Sequence, residues 1–385
     1  MISLARVHRR SVSGALVIVT LACLSTPAAG QVETRSCGVS ADETRWLAES
    51  YEETHTYGLS DGSGSGGWIA SYGGLAAAGD SVFLYDQLRP GVLHLSGELK
   101  ERHVFGRVGE GPGEFNMPFP VTWVDNIFEG HVAFDGRNLV VYDRFDLAAF
   151  DPEGEFRWSA TLPTVSLGEG VRFVSPGGGE EMMFGLDSLN AGSRRLQLWR
   201  VQRSNPNYRE ILWERSVPRR ASAGDGPLAL LGRREARSYW ARHKDCVAIS
   251  DGGRRLLWLV DLSTMQTDSI ALPEWDVPAF GKLSSDLSVM NIGGREVGAR
   301  PREPALLARW TGLIVDPDGH VWLRAWTESR EDFEVFVVSM ASGESRRVNP
   351  PGFPTAFGPP GVFYTPREKP ETDEQYVVRL ASQRR

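Results

Sequence analysis

The chain has 385 residues, with 42 Lys and Arg against 49 Asp and Glu and a net charge of −7. This acidic balance excludes a surface built for nucleic acid, which needs clustered cations to displace the counterions of the phosphates. Hydrophobic residues at 41%, among them 12 Trp and 17 Phe, supply a large interior, while 42 Gly and 23 Pro demand many turns and point to an all-β chain.

At the start, Arg6, Arg9 and Arg10 precede an apolar run from Ala15 to Leu24 and the small residues Ala28, Ala29 and Gly30. That order is the layout of a signal peptide, with cleavage expected before Gln31. The run is too short to span a bilayer permanently, so the mature chain, without a transmembrane segment, is expected to be secreted or periplasmic. A lipoprotein reading on Leu21-Ala22-Cys23 is disfavoured by Thr20, which stands where a large aliphatic residue is usual. Removing residues 1–30 takes away three arginines and no acid and moves the net charge from −7 to −10. Residues 31–44 read as an N-terminal tail. An oxidising compartment permits a bridge between Cys37 and Cys246, but spacing alone does not establish proximity, and two unpaired thiols are the expectation.

Beyond a Gly/Ser stretch at Asp61–Gly67, one unit recurs: a small apolar strand, a tight turn, then a strand rich in aromatic and β-branched residues. The copies are Leu75–Asp86, Val132–Asp143, Val171–Leu186, Val247–Val260, Leu313–Ala325 and Pro354–Pro366. Third and fourth strands follow several of them, as in Leu147–Phe150 and Phe156–Leu162 around the turn Asp151-Pro152-Glu153-Gly154. A four-stranded antiparallel sheet cannot bury both of its faces alone, but six packed face to face around an axis can. The spacing predicts a six-bladed β-propeller over residues 45–385, with insertions near 106–129, 204–243 and 277–309. The last copy runs out after its third strand, so Arg45–Tyr57 is predicted to complete it and close the ring.

The second copy, with Phe115, Pro118, Val132, Val141, Tyr142 and Asp143, resembles NHL-type and related bacterial six-bladed propellers. Gly109-Glu110-Gly111-Pro112-Gly113-Glu114-Phe115 is similar to the loop between their first and second blades. The resemblance implies a fold and a habit of binding, and it leaves function open.

Catalytic signatures are missing. Ser63 and Ser65 lack the neighbours of a nucleophile elbow, and His55, His94, His103, His131, His243 and His320 form no zinc motif. Asp316-Pro317-Asp318-Gly319 has the carboxylates of a calcium loop but no bidentate Glu after it, and reads as a turn. Trp199, Trp258 and Trp322 fall on repeat strands and read as packing, whereas Trp123, Trp240, Trp275 and Trp310 fall in or beside insertions.

Every blade-to-blade connection emerges on one side of such a disc, and binding residues concentrate on long loops held by a rigid scaffold. The ligand-binding candidates are therefore Arg220, Arg233, Arg234, Trp240, Arg242, Trp275, Arg302, Arg309 and Trp310, with Glu110 and Glu114 in the glycine-rich loop. The expected function is that of an exported, non-enzymatic, monomeric binding or scaffolding propeller without a cofactor, taking an envelope or extracellular ligand of anionic character. The alternative is a lactonase- or esterase-like enzyme with calcium in the central channel, which the small apolar residues of segments such as Leu75–Ala78 and Val247–Ile249 disfavour.

Overall fold

The computed structural model describes residues 37, 44–48, 50–59, 67–70, 72–89, 91–109, 111–115, 131–143, 146–161, 169–176, 181–189, 193–218, 238–274, 290–292, 295–297, 310–325, 334–369, 371–372 and 374–383. The leader, the cleavage position before Gln31 and Cys23 lie outside these residues. All regular structure among the described residues is β.

Six four-stranded antiparallel sheets form the blades of a six-bladed β-propeller. Blade one holds β2 (Tyr72–Ala78), β3 (Ser81–Asp86), β4 (Gly91–Ser96) and β5 (Glu101–Phe105), from the innermost strand outward. After it come β6 (Arg107–Val108) and β7 (Glu114–Phe115), and then blade two with β8 (His131–Phe134), β9 (Leu139–Asp143), β10 (Asp146–Phe150) and β11 (Phe156–Thr161). Blade three is β12 (Glu169–Pro176), β13 (Glu181–Leu189), β14 (Ser193–Gln202) and β15 (Asn205–Pro218). Blade four is β16 (Tyr239–His243), β17 (Cys246–Ser250), β18 (Leu256–Asp261) and β19 (Thr267–Ala271). A small hairpin, β20 (Met290–Ile292) and β21 (Arg295–Val297), precedes blade five, which is β22 (Trp310–Val315), β23 (His320–Ala325), β24 (Glu334–Ser339) and β25 (Ser345–Val348). Blade six is β26 (Ala356–Phe357), β27 (Val362–Lys369), β28 (Glu374–Ser382) and, as its outer strand, β1 (Tyr51–Tyr57).

Strand alternation explains the packing. In β9, Leu139 and Val141 point into the core shared with blade one, beside Phe83 and Tyr85, while Val140 and Tyr142 meet Met182 and Phe184 of blade three. In β17, Val247 and Ile249 face blade three and Cys246 and Ala248 face blade five. A fully buried Val, Leu or Phe contributes about 1.5–3 kcal/mol, so each blade is stable chiefly because it has two neighbours.

The ring closes as the sequence predicts. Strand β1 runs antiparallel to β28, with Tyr51 opposite Ser382 and Tyr57 opposite Val377, so the last blade is built from both ends of the chain. Tyr57 then packs with Leu75, Val82 and Leu84 of blade one.

Three expectations are corrected. Val247–Ile249 is not an innermost segment, because β16 lies inside it, with Trp240 opposite Ile249. The insertion assigned to 204–243 contains the long outer strand β15 and the inner strand β16, and only 219–238 joins them. Cys37 and Cys246 are bonded, with Cα atoms 5.6 Å apart across 209 residues of sequence. Both sulfur residues are buried in the core between blades four and five, which their separation in sequence could not reveal.

Candidate functional site

Inner strands all enter from one side of the disc, here called the entry face, and leave toward the far face. The entry face also receives the turns between second and third strands. The candidate site is the channel mouth on this face. Its register positions are the first residues of the inner strands: Tyr72, His131, Glu169 and Tyr239 in blades one to four. In blades one and five a bulge interrupts the inner strand just after its start, between Tyr72 and Gly74 and between Trp310 and Gly312. A bulge of this kind re-aims side chains at the rim of a sheet.

Arg324 on β23 stands opposite Gly312, where the inner strand has no side chain, and its Cβ lies 3.3 Å from where a Cβ on that glycine would fall. Burial pulls the Arg324 guanidinium below its ordinary value, and the nearby Tyr239 phenol opposes that pull. Arg324 and Tyr239 thus place a partly desolvated cation and a phenol at the mouth between blades four and five.

Beneath the mouth, three blades are tied together by polar bonds. Arg194, buried on β14, donates from Nε to Asp187 Oδ1 at 2.6 Å and from Nη1 to the Asp251 carbonyl of blade four at 2.9 Å. Asp187 Oδ2 accepts the Ser238 amide at 3.2 Å, which fixes the entry into β16. The next link is Trp310, whose amide donates to Gly252 O at 2.9 Å and whose indole donates to Arg254 O at 3.1 Å. On blade one, Asp86 accepts the Ala70, Leu88 and Arg89 amides and so shapes the rim below the exposed Trp68, over whose ring Arg89 stacks at 4.3 Å.

The structure separates the candidates from the sequence. Arg220, Arg233, Arg234, Trp275, Arg302, Arg309 and Glu110, with Trp123, lie outside the described residues. Trp240 is on β16 inside the interface with blade three, lying over Gly185, where a Cβ would overlap its ring, and within 6.1 Å of Trp213. Trp310 is fully buried against Phe336. Both indoles are occupied by packing. Arg242 is on the innermost strand of blade four rather than in a loop, and its Nε donates to Lys244 O at 2.6 Å in the turn on the far face.

Glu114 holds its own loop together, accepting from the Gly111 amide at 2.8 Å and from Arg107 Nε at 2.6 Å. These bonds keep its carboxyl below the ordinary value. Phe115 anchors the loop among Tyr85, Phe105 and Phe150 at the seam of blades one and two.

Sequence reasoning missed Tyr239, Arg324, and the Asp187–Arg194 pair. The available signal was positional, because polar or aromatic residues recur at the first position of the inner strands. Among the described residues no group of three His, Cys, Asp or Glu stands close enough to share a metal ion. Asp316 is the turn residue expected of it: its Oδ1 accepts the Asp318 and His320 amides at 3.0 Å each.

No family model matches the chain, and no curated protein matches it in sequence. Among solved structures, a member of the DUF4221 family from Bacteroides vulgatus is similar with a TM-score of 0.51 at 9% identity, over 87% of this chain and 97% of that one. Regucalcin from Agrobacterium tumefaciens, described as a calcium-binding protein, has a TM-score of 0.41 at 12% identity over 82% of this chain and 92% of its own. A luciferin-regenerating enzyme has 0.44 at 11% identity over the same shares. The class so defined is the six-bladed β-propeller. No helix among the described residues is long and apolar enough to cross a membrane.

Proposed function

We propose that this is an exported binding propeller that takes an anionic ligand at the entry-face mouth of its channel and performs no chemistry on it. The observation that carries the reading is Arg324, a partly desolvated cation beside Tyr239 at the mouth, in a chain whose overall charge is −7. A desolvated guanidinium inside an acidic protein attracts and orients a carboxylate or phosphate. A calcium-centred enzyme needs several oxygen ligands, and the inner strands offer Glu169 and no Asp, Asn or Gln. Export is supported by the buried disulfide, since such bonds persist in oxidising compartments. The kinship with NHL-type propellers rests on the loop ending at Phe115.

The test is calorimetric titration of the purified protein with citrate and with inorganic phosphate, with and without a chelator. Arg324→Gln should weaken binding about tenfold, the loss expected for a charge-assisted hydrogen bond. Binding that needs calcium, or that survives Arg324→Gln unchanged, overturns the reading.

A further inference from the structure

The far face carries a feature that the proposed function does not use. Cys37 is bonded to Cys246, at the far-face end of the second strand of blade four. Thr44 Oγ1 donates to Asp316 Oδ2 at 2.5 Å, and Arg45 clamps Asp318 through its amide at 2.9 Å and Nη2 at 2.8 Å, both in the first turn of blade five. Trp46 Nε1 donates to Gly358 O at 3.1 Å in the first turn of blade six, with its ring 5.9 Å from that of Phe357. The Tyr51 hydroxyl donates to Trp46 O, and there the chain enters β1. The attachments therefore follow the chain from blade four to five to six.

We propose that Thr44, Arg45 and Trp46, downstream of the disulfide-bonded Cys37, form a redox-responsive strap, in which the polar latch at Thr44 and Arg45 and the disulfide protect each other. Thr44 is 1% exposed, Cys37 3% and Cys246 6%, so a thiolate reaches the sulfurs only after the strap lifts. The disulfide in turn keeps a lifted strap beside its docking site, at high effective concentration. Reduction by a dithiol breaks this mutual protection. A reagent thiolate attacks one protein sulfur, the other leaves as a thiolate and takes up a proton, and the second reagent thiol closes on the mixed disulfide. Two electrons pass to the protein, giving two cysteine thiols and an oxidised dithiol.

The experiment follows reduction of the purified, oxidised protein by dithiothreitol, counting free thiols by alkylation and mass spectrometry. Thr44→Val and Asp318→Asn should each be reduced about tenfold faster than the wild type, the factor that follows from losing one strong hydrogen bond from the latch. Arg45→Ala, at an exposed side chain, serves if either variant folds poorly. In the wild type, trypsin should cut after Arg45 far faster once the bond is reduced. Equal reduction rates in wild type and latch variants, or equal cleavage after Arg45 before and after reduction, overturns the proposal.

Discussion

On the far face, Thr44, Arg45 and Trp46 reach blades five and six from a segment more than 260 residues away in sequence, with a covalent anchor on blade four. On the entry face, the ties run between successive turns: Arg194 to the Asp251 carbonyl, then Trp310 to the Gly252 and Arg254 carbonyls. The first arrangement resists opening of the ring between its ends. The second sets the level of three neighbouring blades and leaves the rim above them to Tyr239 and Arg324. Closure and recognition are thereby separated onto opposite sides of one disc, so that damage to one should leave the other measurable.

The comparison breaks most severely if the closing strand is removed. A chain beginning at Trp68 loses β1, the strap and the buried side chains of Trp46 and Tyr57. The disulfide alone closes a 209-residue separation, which chain-entropy reasoning values at about 5 kcal/mol. The truncated protein should fail to show a cooperative thermal transition, and one that melts like the full chain would place closure elsewhere.

A smaller effect is expected on the entry face. Asp187→Asn leaves the buried Arg194 guanidinium without its ionic partner, at a cost of about 3–5 kcal/mol. The expected readout is a lower denaturant midpoint with the disulfide still intact, which would show that the two faces fail independently.

The smallest expected effect is a pH dependence in blade one. Burial pushes the His94 imidazole down to about 4, helped by the neighbouring His103 and Arg102. Because the folded value lies below the unfolded one of 6.5, stability from neutral His94 is fully present above pH 6.5 and is lost as pH falls toward 4. His94→Gln should flatten the stability profile across that window. Asp316 acts lower: burial would raise its carboxyl, but the bonds from His320, Thr44 and Trp322 hold it below its ordinary value, so its contribution disappears only as the pH falls below the usual carboxylate range.

Five of the six repeat copies were legible because their first turns carry Gly or Pro, as at Gly79, Gly136, Gly319 and Gly361, all with positive φ. Blade four was read one strand late for a physical reason. The turn after β16 is Lys244–Asp245, and Lys244 itself adopts a φ of 50° without any glycine to announce it. The following Asp251-Gly252-Gly253 looked like the expected first turn, and β16, with Tyr239, Trp240, Arg242 and His243, does not look small and apolar. That single slip hid Tyr239 from the candidate site. Arg324 was hidden differently, since its position at the mouth depends on the absence of a side chain at Gly312 on another strand. The disulfide depends on how blades four, five and six stack, which no local pattern encodes.

The course of the strap also gives the disc a polarity. The chain reaches the far face before it reaches any blade, because Cys37 is fixed there by its bond to blade four. A tether at the carboxyl-terminal end of β28, beside Ser50, would leave from the same far-face rim, so immobilising the protein there, on a bead or a lipid surface, would turn the channel mouth outward.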